Sequence, residues 1–103
     1  MRRINSVKRF MEQGMKYRNK KLDLIVDGRY YHLEEGESAQ NVVTWINSFA
    51  HQSSQVYGGN TVAIYTGEGT KYAAPCNFIW IDPRNNQIHV VTQEEFEKNF
   101  EEV

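Results

Sequence analysis

The sequence of 103 residues has a single cysteine, only two prolines and no long apolar run. Because Cys76 is alone, the chain can form no internal disulfide and offers no thiol pair for a zinc ribbon or a redox site. A lone thiol is typical of proteins from a reducing compartment. No stretch has the roughly 7 to 15 apolar residues of a secretory signal or the roughly 18 of a membrane span. The sequence therefore predicts a cytoplasmic protein that does not contact a membrane.

The composition is that of a folded globular protein. Forty per cent of the residues are hydrophobic and 24% are charged, which are ordinary fractions for a soluble domain. A chain of this length buries about 60 to 70% of its unfolded surface in one core, and two domains would leave each with too little. No repeat, low-complexity tract or linker interrupts the chain. We therefore predict a single domain over residues 1–103.

Charge is divided unevenly along the chain, although the formal net charge is only −1. The first 21 residues, MRRINSVKRFMEQGMKYRNKK, hold eight of the twelve Lys and Arg and one acid, Glu12, which is a sum of +7. The rest of the chain carries a sum of −8. A cationic segment beside an anionic remainder favours contact with an acidic surface, either of a partner or of the chain itself.

The cationic segment has the hydrophobic period of a helix. Four apolar residues, Ile4, Val7, Met11 and Met15, share one side of a helical wheel, so residues 3–17 are predicted to form an amphipathic helix. A stripe of cations lies on the opposite side, with two aromatic residues beside it. These exposed candidates are Arg2, Arg9, Lys16, Lys20, Phe10 and Tyr17.

The segment LDLIVDGRYYHLEE contains Asp27-Gly28 between two alternating runs. An Asp-Gly pair in this setting is a strong signal for a two-residue hairpin turn. We therefore expect a hairpin in which Val26 pairs with Arg29.

The remaining segments alternate between the two periods. GESAQNVVTWINSFAHQ has a helical pattern with Ser38 as its N-cap, and TVAIYT is typical of a strand. CNFIWID and QIHVV flank the turn PRNN, which places Trp80 opposite His89. TQEEFEKNFEEV opens with a capping box from Thr92 to Glu95 and continues with helical spacing.

These segments give the order α-β-β-α-β-(β)-β-β-α, in which the bracketed strand lies near residues 71–74. Such an order predicts an α+β domain. We expect one mostly antiparallel sheet of four to five strands, with three helices packed on one of its faces.

Few residues have the spacing of a catalytic or metal site. The three histidines, His32, His51 and His89, lie in different elements and share no ligand spacing, so we expect no metal and no cofactor. A reactive Cys76 would need a neighbouring base, but the predicted register places His89 opposite Trp80. The loop TGEGTK lacks the spacing of a phosphate cradle and is predicted to be a glycine-rich hairpin loop.

Aromatic residues of the two predicted hairpins form a second candidate surface. Tyr30, Phe78 and Trp80 alternate with the apolar core positions of their strands. They are either exposed or covered by a helix, for which the central helix with Trp45 is the obvious candidate. If they are exposed, a contiguous patch would mark a protein interface or a homodimer contact.

The prediction that follows is a small non-enzymatic interaction protein, of the binding, adaptor or inhibitor type, with a macromolecular partner. A protein partner is favoured over nucleic acid because the acidic remainder repels phosphate, and self-association is left open. One alternative is a nucleic-acid-binding protein that uses the same basic helix. Another is a ligand-binding protein or thiol-dependent enzyme around Gly67–Gly69, Cys76 and His89. The predicted partner-binding residues are Arg2, Arg9, Phe10, Lys16, Tyr17, Lys20, Tyr30 and Trp80.

Overall fold

The computed structural model describes residues 15–32, 37–50 and 53–103. These residues form eight strands and two helices. In chain order, the elements are β1 (Met15–Asn19), β2 (Leu24–Tyr30), α1 (Ala39–Asn47), β3 (Ser54–Gly58), β4 (Thr61–Thr66), β5 (Gly69–Ala73), β6 (Phe78–Asp82), β7 (Gln87–Val91), α2 (Gln93–Asn99) and β8 (Phe100–Glu102).

The strands form two antiparallel sheets rather than the single sheet predicted. The larger sheet has the order β7-β6-β2-β1-β8, and the smaller sheet has the order β3-β4-β5. The α+β class and the mostly antiparallel pairing are confirmed, whereas the prediction of one sheet with four to five strands is wrong, because the described residues form eight strands in two sheets.

Both faces of the larger sheet carry a core. On one face, Ile79, Ile81 and Ile88 pack against α1 and the smaller sheet. On the other face, Phe78 and Trp80 pack against aromatic residues of α2 and β8. The two helices therefore lie on opposite faces, so the expectation that all helices share one face is wrong.

Three local predictions are confirmed. Ser38 caps α1 by accepting a hydrogen bond from the backbone N–H of Asn41, at 3.2 Å. Thr92 caps α2 in the same way, accepting from the backbone N–H of Glu95 at 3.1 Å. The β6–β7 hairpin has the predicted register, with Trp80 opposite His89. These signals depend only on short stretches of sequence.

The turn of the β6–β7 hairpin is held by one carboxylate. Asp82 accepts hydrogen bonds from Nε and Nη2 of Arg84, at 3.0 and 2.8 Å, and from the Arg84 backbone N–H at 2.9 Å. These contacts lower the pKa of Asp82 to about 2. Asn86 closes the turn with a left-handed φ of 59°, a conformation that asparagine tolerates well.

The prediction of a helix over residues 3–17 is wrong at its C-terminal end, and residues 1–14 lie outside the described residues. Met15–Asn19 is strand β1, which pairs with β2 on one side and β8 on the other. Alternation in this strand buries Tyr17 and Asn19 and leaves Lys16 and Arg18 in solvent. Pairing with two strands outweighs the local helical pattern, which is weak evidence when tertiary partners compete.

The hairpin predicted at Asp27-Gly28 is also wrong, because β2 runs straight through both residues. The β1–β2 turn lies earlier, at residues 20–23, where Asp23 has a left-handed φ of 54°. Gly28 has a different role. A β-carbon there would overlap the rings of Phe78 and Tyr17, so glycine is required for close packing rather than for a turn.

Three further strands, β3, β5 and β8, differ from the prediction. The doubtful strand near residues 71–74 exists as β5, from Gly69 to Ala73. Strand β3 lies between the predicted central helix and the predicted strand TVAIYT, where the predicted order has no strand, and β8 occupies the end of the predicted last helix. The side chain of Asn47 explains β3, because its Oδ1 accepts from the backbone N–H groups of Ser53 and Ser54 at 3.1 and 3.0 Å. This contact redirects the chain out of α1.

A buried ion pair joins β2 to the start of α1. Arg29 donates from Nη2 to both carboxylate oxygens of Glu37, at 2.9 and 3.1 Å, and both side chains are excluded from solvent. Glu37 also accepts from the Ser38 backbone N–H and from Asn41 Nδ2. The carboxylate therefore links the strand directly to the first turn of the helix.

We expect Gly28→Ala to destabilise the fold by about 1 to 3 kcal/mol, because the added methyl group overpacks the core against Phe78. The midpoint of urea unfolding measures this change. Gly58→Ala is the matched control, since a β-carbon there meets nothing within 4 Å. Equal effects of the two substitutions would contradict the assigned role of Gly28.

We expect Glu37→Ala to lower the free energy of unfolding by about 3 to 5 kcal/mol, because the charge of Arg29 stays buried without this carboxylate. Glu101→Ala removes a carboxylate from an ion pair with Arg18 whose side chains are 48% and 50% exposed. That control should change stability by less than about 1 kcal/mol. Similar losses in the two variants would show that burial does not set the strength of the Arg29–Glu37 pair.

Candidate functional site

Three tyrosines are exposed on the outer face of the smaller sheet. Tyr57, Tyr65 and Tyr72 expose 66%, 44% and 52% of their surface. They lie on three neighbouring strands, β3, β4 and β5. We call this surface the tyrosine face and define it by these three residues and the alanine between them, Ala63.

The pairing of the strands brings these residues together. Ala63 of β4 lies opposite Tyr72 of β5. Tyr65 is two residues after Ala63 in β4 and lies on the same face of that strand. The rings of Tyr57 and Tyr72 are in contact, with centroids 5.1 Å apart at 64°. Ala63 is only 1% exposed, although it is a small residue among exposed ones. The tyrosine side chains therefore project into solvent beside Ala63, which they and the neighbouring strands cover.

The strand positions on this face carry no charge. Besides the tyrosines and Ala63, the positions that alternate onto it are Gln55, Thr61 and Thr70. The one cation of the smaller sheet's described strands, Lys71, lies opposite Ile64 on the inner face. Its Nζ donates to the carbonyl of Ile88 at 3.4 Å and lies 3.8 Å from Glu68. The tyrosine face is therefore aromatic and neutral.

A separate cleft of about 360 Å³ lies between β7 and α2. His89 stacks on Trp80 at its floor, with ring centroids 4.3 Å apart at 17°. Burial, and secondarily the charge of Lys71, lowers the pKa of His89 below its ordinary value of 6.5. The half-buried imidazole packs on Trp80 as an aromatic ring.

The structure separates the predicted partner-binding residues. Lys16 and Lys20 are exposed, and Tyr30 is half-buried. Tyr17 and Trp80 are buried in the core beneath α2. The residues Arg2, Arg9 and Phe10 lie outside the described residues.

Phe78 and Trp80 are covered by a helix and are not exposed. The covering helix is α2 rather than the central helix. Phe96 of α2 stacks on Phe78 with centroids 4.1 Å apart. Trp45 of α1 belongs to the core on the other face of the larger sheet and contacts Phe49 at 5.2 Å.

Two cations of the basic segment contact acidic residues of the chain itself. Lys16 lies 2.9 Å from Asp27. Arg18 lies 3.6 Å from Asp23 and 3.4 Å from Glu101. Of the two expectations for the cationic segment, these residues follow the internal one, because β1 pairs with β2 on one side and with β8 on the other.

The loop, Cys76 and His89 do not form one site. The Gly67–Gly69 region reaches β7, where Glu68 accepts from Nε2 of Gln87 at 3.2 Å. Cys76 is exposed and precedes β6, whereas His89 lies opposite Trp80 further along that strand. The pKa of Tyr30 is raised, first by burial and then by the neighbouring Cys76. Within residues 15–32, 37–50 and 53–103, no group of three or more His, Cys, Asp or Glu could hold a metal ion.

The tyrosine face was not identified from the sequence. The signal was present in TVAIYTGEGTKYA, which forms a hairpin around Gly67 and Glu68 with Thr66 opposite Gly69. Continued along both strands from the Thr66–Gly69 pair, that register places Tyr72 opposite Ala63, on the face of the hairpin away from the core. Tyr57 cannot be placed in this way, because the predicted order has no strand between the central helix and TVAIYT.

We expect the pKa of His89, followed through its ring protons by NMR, to lie below 6.5 because protonation would charge a half-buried ring. Stability should therefore fall as the pH drops below about 6.5, since the unfolded chain binds the proton more readily. Lys71→Gln should raise the pKa by removing the neighbouring charge. Lys16→Gln, on the opposite face of the larger sheet, should leave it unchanged. A pKa of His89 at or above 6.5 would contradict the buried, stacked environment.

No helix in the described part of the chain has both the length and the apolar character needed to cross a membrane. Comparisons of the chain with protein-family models, with curated proteins and with solved structures find no match.

Proposed function

We propose that this chain is a small binding protein that contacts another protein through the tyrosine face. The observation that carries the proposal is the exposure of Tyr57, Tyr65 and Tyr72 on one side of the smaller sheet. Contiguous exposed aromatic surface on a small domain is typical of an interaction site. The proposal retains the expected class of function but moves the surface away from Trp80 and Tyr17, which are buried.

Tyrosine suits this role for two reasons. Its ring buries a large apolar area with only two side-chain torsions to immobilise, and its hydroxyl group finds a hydrogen-bond partner in a wet interface. Tyrosine is also enriched among the few residues that supply most of the binding energy of protein interfaces. Three such residues around Ala63 therefore offer a compact set of anchors.

The charge of the face favours a protein over nucleic acid. Proteins bind a phosphate backbone through Lys and Arg, whereas the described strand positions of this face hold only neutral residues. The partner surface should accordingly be neutral, with apolar and hydrogen-bonding groups that match the rings and hydroxyl groups. Affinity of this kind should depend little on salt.

The partner is expected to lie on the face rather than to extend the sheet. Strand β3 has an irregular register between Val56 and Gly58, and a bulge of this kind interrupts the row of backbone groups that an added strand would need. Tyr57 lies within that irregularity and contacts Tyr72. The bulge thus disfavours the addition of a strand along the β3 edge of the smaller sheet.

The test places a photo-crosslinking phenylalanine analogue at position 65 and, as a matched control, at Ile25. Ile25 is 46% exposed on a strand of the larger sheet. Irradiation in cells of the source organism should give protein adducts from position 65 and none from position 25. Tyr57→Ser together with Tyr72→Ser should lower the adduct yield about tenfold or more, because anchor residues of an interface are lost.

The mass and nature of the adducts decide between occupants. An adduct of twice the chain mass would identify a second copy as the partner. Three outcomes would contradict the proposal. They are adducts with nucleic acid, equal adduct yields from positions 65 and 25, and a yield from position 65 that the two serine substitutions do not change. The serine variants should keep the wild-type free energy of unfolding, measured in urea, within about 1 kcal/mol, since both side chains are exposed.

A further inference from the structure

A second concave surface lies on the larger sheet, beside α2. This cleft of about 320 Å³ is bordered by residues of β1, β2, α2 and β8. We call it the aromatic groove. Its lining residues are Tyr17, Tyr30, Phe96, His32, Gln93, Glu97 and Glu102.

The rings that line the aromatic groove pack against one another in two arrangements, edge-to-face and stacked. Tyr17 meets Phe96 at 84°, with centroids 5.3 Å apart. Tyr30 lies 6.1 Å from Phe96 at 28° and meets the ring of His32 at 77°. A small group in this corner can therefore contact more than one ring, in more than one direction.

Two carboxylates border the rings. Glu97 contributes to the raised pKa of Tyr30, after burial and the contact with Cys76. Glu102 contributes to the raised pKa of Tyr17, after burial. Both carboxylates line the same groove as the two phenol groups. Among the described residues that line the groove, Glu97 and Glu102 are charged and none is Lys or Arg, so the field from these side chains favours a cation.

We propose that the aromatic groove binds an alkylammonium cation, such as the head of a lysine or methylated lysine side chain or a small quaternary amine. The faces of aromatic rings attract such cations, and the attraction grows as the cation loses water. Glu97 and Glu102 add the charge that a neutral aromatic pocket lacks. The methyl or methylene groups of the ligand would contact Tyr30 and Phe96.

The groove suits this ligand better than an anion or a metal ion. Its two carboxylates repel anions. A metal ion would need several ligands around one point, and the described part of the chain holds no suitable group of three. An alkylammonium cation needs only rings and a nearby negative charge. The groove therefore matches one class of ligand by shape and by charge.

The test uses the full chain and a pair of probes with the same shape. Choline carries a trimethylammonium group, and 3,3-dimethylbutanol is its neutral carbon analogue. Followed by NMR, choline should shift the signals of Tyr30, His32 and Glu97. It should bind about fivefold or more tightly than the analogue, because only choline gains the attraction of rings and carboxylates.

Variants separate the charge from the shape of the groove. Glu97→Gln combined with Glu102→Gln should weaken choline binding about fivefold or more and leave binding of the neutral analogue unchanged. Glu94→Gln is the matched control, because Glu94 is an exposed acid of α2 outside the groove. The exchanged side chains are exposed, and unchanged methyl signals of Val26 would verify that the core is intact.

Two sources of the cation are distinguished by a peptide that carries trimethyllysine. Binding about tenfold tighter than that of choline would identify a protein side chain as the ligand, and equal binding would identify a small amine. The proposal is overturned if choline and its neutral analogue bind equally, if the double glutamine variant binds choline as the wild type does, or if the signals that shift lie elsewhere. Because the tyrosine face is on the other sheet, none of these results depends on the function proposed for it.

Discussion

The ring of Phe78 against the backbone of Gly28 is the contact on which the rest of the structure depends. Gly28 has no β-carbon, so Phe78 approaches the middle of β2 closely. The same ring contacts Tyr17 at 5.0 Å, Phe96 at 4.1 Å and Phe100 at 5.0 Å. One side chain thereby joins β1, β2, α2 and β8. It fixes the distance of α2 from the sheet, and with it the width of the aromatic groove.

The opposite face of the same strand has a different constraint. Arg29 follows Gly28 and points away from it, into the ion pair with Glu37 at the start of α1. A slip of β2 by one residue would exchange the two faces and place a guanidinium group among the rings around Phe78. The glycine and the arginine therefore specify the same register for opposite reasons, one by its lack of volume and the other by its charge.

The features that could be predicted are those that short stretches of sequence determine. Ser38 and Thr92 cap helices through their nearest neighbours, and the turn after Asp82 is held by groups within a few residues. The features that could not be predicted depend on distant partners. Asp27-Gly28 has the sequence of a turn, yet β1 and β6 on either side of β2 keep it extended.

The same distinction applies to the candidate site. Tyr65 and Tyr72 belong to one hairpin, so their shared face was within reach of local reasoning. The burial of Trp80 and Tyr17 depends on α2 and β8, which approach from the far end of the sequence. Their aromatic character alone does not distinguish a core residue from an interface residue, because both environments favour the same side chains.

The amide of Asn47 has a consequence for how the smaller sheet presents its tyrosines. Its Oδ1 accepts from the chain at the start of β3, and its Nδ2 donates to the carbonyl of Ser54 at 3.2 Å. Glu68 and Lys71 add contacts with β7 on the other side of the sheet. Held from two directions, the smaller sheet has little freedom to rotate against the larger one. A partner would thus meet a preorganised surface, and association would cost little conformational entropy in this protein.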